Sequence, residues 1–133
     1  SARYFNDKWA IFAIQFKQLM ASPNYLVQLN FLPIVFKFII CKNCETVLYN
    51  LIDDNEILQS IMILLRNNSK KMQNLAYSVF KLFVLKHESA QIRDTLKMNK
   101  TKLINFLEEF KFEDSDKNLE KEKQLVIEKI YIL

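Results

Sequence analysis

No glycine occurs anywhere in the 133 residues of this chain. Glycine is the residue that reaches positive φ without steric cost, so glycine hairpins, phosphate-cradling glycine loops and dinucleotide fingerprints are excluded from the start. Long straight-chain residues fill the spaces between 11 Phe, 5 Tyr and 1 Trp, and only 2 Pro interrupt them. That supply favours helices. Half of the residues are hydrophobic and 26% are charged, the balance of a soluble globular domain, and the length suits one domain with a real core.

The pattern of the apolar residues repeats. Leu58, Ile61, Met62, Leu65 and Arg66, moved forward by 45 positions, land on Leu103, Phe106, Leu107, Phe110 and Lys111, so that apolar meets apolar and base meets base. The same step carries Leu19, Met20, Ser22 and Asn24 onto Leu64, Leu65, Asn67 and Ser69, an apolar helix end running into a polar turn. A step of 44 carries Val35-Phe36-Lys37-Phe38 onto Val79-Phe80-Lys81-Leu82. Such a period lies in the range of HEAT and armadillo repeats, whose two- or three-helix units bury their faces only by stacking on the next unit. The expected fold is all-α, an armadillo/HEAT-like solenoid forming a right-handed superhelix of about three repeats.

Helices are predicted over residues 7–20, 23–40, 45–51, 56–66, 69–86, 89–98, 100–110 and 119–133, with no strand. Ser22-Pro23 reads as an N-cap followed by proline at the first helical position, and Pro33 as a kink or break. Asp53-Asp54-Asn55 reads as a turn and cap, and the acidic run 113–118 as the one loop of length. Between Glu56 and Arg66 only Gln59 and Ser60 are polar. A solenoid helix needs one buried stripe, so the surplus apolar surface means a helix sandwiched between layers or lining a groove. In the following helix Met72, Leu75, Ala76, Val79, Leu82 and Phe83 form one face, while Lys70, Asn74, Ser78 and Lys81 form a polar line expected to meet solvent.

The net charge of +4 tolerates an acidic partner without demanding one. Cys41 and Cys44 form a C-x-x-C, but His87 is the only histidine, so a zinc site lacks its second ligand pair. The pair reads as two reduced cysteines at a helix end in a reducing, cytoplasmic compartment. The stretch 26–40 is too short and too interrupted for a membrane span. Because the chain opens within an apparent helix, residues 1–133 are expected to be the C-terminal fragment of a longer armadillo-like repeat domain. No cofactor is expected. Calcium is not expected either: Asp53-Asp54-Asn55-Glu56 has acids without the alternating ligands and central glycine of an EF-hand loop.

The segments Leu58 to Arg66, Ala76 to Val84 and Lys102 to Leu107, with Glu122-Lys123, Ile130 and Asn24-Tyr25, resemble the C-terminal third of the calcium-binding protein 39 (Mo25-like) family. The resemblance implies an armadillo-like, non-catalytic scaffold that binds a protein kinase or the STRAD pseudokinase and regulates kinase activity. It also implies two surfaces. One is a pocket for a partner's C-terminal Trp-Glu-Phe motif, where Met62 matches the family's central methionine, Arg66 agrees, Gln59 shares the helix, and Met98 to Lys102 forms the neighbouring wall, with Met98 in place of a family lysine. The other is a concave kinase-facing surface that would include Leu29, Asn74, Ser78 and Lys81. Leu29 replaces a family arginine and Pro33 is foreign to the family, so the resemblance favours the pocket over kinase activation.

Two other readings compete. A helical-repeat RNA module would present a stacking aromatic or Arg once per repeat on an exposed face. Arg occurs only at positions 3, 66 and 93, and the aromatics fall on faces expected to be buried. A degenerate scaffold without a peptide pocket is the third. An enzyme is not expected, since there is no Ser/His/Asp arrangement and the carboxylate pairs Asp53-Asp54 and Glu108-Glu109 sit at turns or on solvated faces.

Overall fold

The computed structural model describes residues 50–112 and 117–133, together with the single positions Ile14, Lys17, Gln18 and Asn30. Apart from those positions, the expectations placed on residues 7–20, 23–40 and 45–49 lie outside the described residues. Leu29, Pro33, Cys41 and Cys44 are among them. Five α-helices fill most of the described chain: α1 (Asn55–Leu64), α2 (Lys70–Lys86), α3 (Ala90–Met98), α4 (Lys100–Glu109) and α5 (Lys117–Tyr131). No strand occurs among the described residues. The predicted loop gives up Lys117 and Asn118 to α5, which starts two residues earlier than its apolar pattern does.

Side-chain caps set the helix starts. Asp54 Oδ1 accepts from the backbone N–H of Glu56 (3.1 Å) and of Ile57 (3.2 Å). Ser69 Oγ accepts from Met72 N at 3.3 Å, and Ser89 Oγ accepts from Gln91 N at 3.2 Å. Each satisfies a donor that the first helical turn leaves without an intrahelical acceptor. The second carboxylate oxygen of Asp54 lies 3.2 Å from Lys17 Nζ, which also reaches Glu56 Oε2 at 3.1 Å. Asp54→Ala should therefore lower stability by about 1–2 kcal/mol, read as a shift in urea midpoint with unchanged slope.

α1 packs along α2 and against α3, α3 against α4, and α5 against both α4 and α2. The core between them is Ile57, Leu58 and Ile61 of α1, Met72, Phe80 and Phe83 of α2, Ile92 and Leu96 of α3, and Leu107 and Val126 from α4 and α5, all fully buried. The turn into α2 is closed by Gln73 Nε2, which donates to Leu65 O at 3.2 Å.

The polar line of α2 departs from expectation at three of its four residues, Lys70 being exposed as expected. Asn74, Ser78 and Lys81 are half-buried, on a helix against which α5 packs. Lys81 Nζ pairs with Glu122 of α5 at 2.9 Å, Ser78 Oγ donates back to Asn74 O at 3.0 Å, and Lys70 sits over the Phe110 ring. A second charge is placed against its type: Lys123 is 5% exposed, its ammonium donating to Phe110 O at 2.8 Å and pairing with Glu120 at 3.1 Å. It ties α5 to the end of α4.

On the same face Tyr77 is buried, with its ring stacked on Phe110 and edge-on to Phe112, and its hydroxyl has no protein hydrogen-bond partner. Burial, with the charges of Glu122 and Glu120, pushes the phenol above its usual range. A phenol held neutral by the fold contributes fully below the unfolded value of about 10, and its contribution declines as pH rises beyond that. Tyr77→Phe should leave neutral-pH stability equal or up to about 1 kcal/mol higher, and should move alkaline unfolding to higher pH in a circular dichroism titration.

Candidate functional site

The surplus apolar surface of α1 opens onto a groove rather than into a second packed layer. Gln59, Met62, Ile63 and Arg66 lie at spacings of three, one and three, which places them on one stripe of the helix. Asn99, Lys102, Leu103 and Phe106 repeat that spacing at the start of α4. The two stripes face each other across a groove of about 620 Å³, with Thr95 of α3 closing one end and Asn105 on the rim. Two hydrogen bonds hold that end in place. Thr95 Oγ1 donates to Asn55 Oδ1 at 2.6 Å, joining α3 to the start of α1, and Asn99 Nδ2 donates to Thr95 O at 2.8 Å.

The floor is apolar. Leu65 and Leu103 are buried, Met62 and Phe106 half-buried, and Ile63 is 72% exposed at the edge. Phe106 continues inward to Phe110, ring centroids 5.4 Å apart, and through it to Tyr77, so the groove wall is anchored to the aromatic core. Arg66 and Lys102 stand exposed on opposite walls, and among the described residues neither is in an ion pair and no Asp or Glu lines the groove. An apolar trough with cations on both walls suits a ligand with an apolar body and an anionic end.

Of the residues singled out from sequence, Gln59, Met62, Arg66 and Lys102 line this groove. Met98 does not: it is 86% exposed, and Thr95 of α3 and Asn99, the cap between α3 and α4, line the groove instead. Asn74, Ser78 and Lys81 do not line it: Lys81 pairs with Glu122 of α5 and Ser78 bonds back to Asn74, and Leu29 lies outside the described residues. Ile63, Thr95, Asn105 and Phe106 are not among the pocket residues the sequence singles out, while Asn99 falls within the expected wall segment from Met98 to Lys102. The matching stripes in α1 and α4 were the available signal for Ile63 and Phe106.

The sequence profile of the Mo25-like family matches residues 1–133, the whole chain. The chain belongs to the Mo25-like family. Among its relatives, a fission yeast (Schizosaccharomyces pombe) Mo25-like protein is 34% identical over 118 residues, 87% of this chain and 36% of that protein. The mouse (Mus musculus) calcium-binding protein 39-like is 32% identical, over 89% of this chain and 34% of its own length. A degreening-related protein of the alga Auxenochlorella protothecoides is 26% identical over 99% of this chain and 41% of its own length. This Mo25-like chain therefore spans about a third to two-fifths of the curated relatives it matches. Family membership supports the helical-repeat fold and a scaffold role. Among the described residues of this Mo25-like chain, no helix is long and apolar enough to cross a membrane, and no cluster of three or more metal-ligating side chains occurs.

Proposed function

We propose that this chain is the peptide-gripping part of a non-catalytic scaffold that binds a protein kinase or a STRAD-like pseudokinase and regulates kinase activity. A partner's C-terminal Trp-Glu-Phe-like peptide lies in the groove between α1 and α4. The observation that carries the reading is the groove's composition: Met62 and Phe106 on the floor, Arg66 and Lys102 free on facing walls, and no acid between them. An aromatic side chain lies against the Met62 thioether, which adapts to ring shapes, and the terminal carboxylate meets a guanidinium or ammonium. The kinase class of partner rests on the family resemblance.

Among the described residues neither histidine nor carboxylate lines the groove. His87 is placed elsewhere, its Nδ1 2.8 Å from Phe83 O. Calcium is not a ligand in this reading, because Asp54 is engaged by two backbone N–H groups and Lys17.

Met62→Ala tests the anchor. Removing a hot-spot contact costs about 2 kcal/mol, roughly thirtyfold in affinity, read by fluorescence polarisation with a labelled peptide ending in Trp-Glu-Phe. Unchanged affinity would place the peptide elsewhere or nowhere.

A further inference from the structure

A second pocket lies on the other side of α3. Thr95 and Asn99 face the groove, while Arg93 and Lys97 are each two residues from Thr95 and so about 200° round the helix from it. They line a pocket of about 420 Å³ with His87, which caps α2, and Lys129 from the last turn of α5. Asp94 is the one acidic side chain on its lining. Arg93, Lys97 and Lys129 are exposed, and among the described residues none pairs with a carboxylate.

Basic side chains near helix C-termini often serve to offset or cap the last carbonyls. Here other donors do that. Phe83 O is met by His87 N at 3.2 Å and His87 Nδ1 at 2.8 Å, and Leu96 O by Asn99 N at 3.2 Å. Glu128 O and Ile130 O accept from Ile132 N and Leu133 N, each at 3.2 Å. The donors of Arg93, Lys97 and Lys129 are therefore unused, although they converge on one concavity. Because its Nδ1 faces carbonyl oxygens, His87 carries its proton there and leaves Nε2 without a partner.

We infer that this pocket receives the phosphate of a phosphorylated serine or threonine in a partner peptide. A phosphomonoester brings about −1.5 to −2 charges and three strong acceptor oxygens. The Arg93 guanidinium and the ammonium groups of Lys97 and Lys129, on one lining, supply the charge and the donors such a group needs. The rest of the lining favours a peptide over other phosphates. Val84 lies at the inner wall, and Ile132, 77% exposed at the rim, offers a flanking side chain an apolar contact. Asp94 and the negative ends of three helix dipoles oppose a polyphosphorylated headgroup, which carries more charge than three cations balance.

The test is fluorescence polarisation of the full chain with a short labelled peptide carrying one phosphoserine flanked by leucines. Its serine twin, inorganic phosphate as competitor and phosphatidylcholine vesicles doped with phosphatidylinositol bisphosphate are the other arms. The phosphopeptide should bind saturably and the serine twin at least about tenfold more weakly. Arg93→Ala and Lys129→Ala should each lose about tenfold, the scale of one charge-assisted hydrogen bond. Both side chains are exposed, so the variants keep the core. Lys121→Ala, exposed on α5 away from the pocket, and Met62→Ala in the groove should leave this affinity unchanged. Equal binding of the two peptides, indifference to both alanine variants, or binding to the vesicles alone would overturn the assignment.

Discussion

Replacing Phe80 by alanine is expected to remove about 3–5 kcal/mol of stability, among the largest single losses at the described residues. The ring is fully buried in the middle of α2, the helix that touches both α1 and α5. No neighbour can swing in to fill the space, because Ile57, Ile61 and Phe83 around the same core are themselves fully buried and already packed. The cost therefore contains both the lost transfer of the ring from water and the cavity left behind. A guanidinium titration with the parent and the variant reads it as a lower midpoint. A loss below about 1 kcal/mol, the range of a surface change, would mean that α2 is not the centre of the core.

The double charge reversal Arg66→Glu with Lys102→Glu is expected to weaken a carboxylate-ended aromatic peptide by about 3 kcal/mol, over a hundredfold. Each parent cation stands unpaired on its wall, so no internal ion pair is broken and both substituted side chains stay in solvent. The effect must then come from the ligand's anionic end. The control is chemical: the same peptide ending in an amide should bind the parent chain more weakly and should lose little on the double substitution. If acid and amide peptides fall by the same factor, the cations act through the general field of the protein and not on the terminus.

How much of this was legible in the sequence depends on how local the cause is. Asp54, Ser69 and Ser89 announce their helices because a cap is written within three residues of the turn it serves. The stripe of α1 was legible too, since its apolar surplus could only be covered or left open, and Ile63 shows which. Asn74, Ser78 and Lys81 were read as an open face because polarity at helical spacing ordinarily means solvent. What covers that line is a helix whose contact with Lys81 comes from 41 residues further along, and no pattern within α2 records it. Lys123 has the same kind of non-local cause. Its charge argues for the surface, while its ammonium is satisfied by the Phe110 carbonyl, 13 residues back. Met98 lies outside the groove lining for a geometric reason: being in the right segment does not aim a side chain, and Thr95 of α3 and Asn99, the cap between α3 and α4, hold the positions that line it.

The groove itself is tested most directly by one titration, a labelled peptide ending in Trp-Glu-Phe with a free carboxylate against the unmodified chain, followed by fluorescence polarisation beside its C-terminal amide. Saturable binding with a dissociation constant on the order of 10 μM or tighter, and weaker for the amide, is the expected result. No binding of the free acid at high micromolar concentration, or identical curves for acid and amide, would contradict a groove that holds an aromatic side chain by its floor and a carboxylate by its walls.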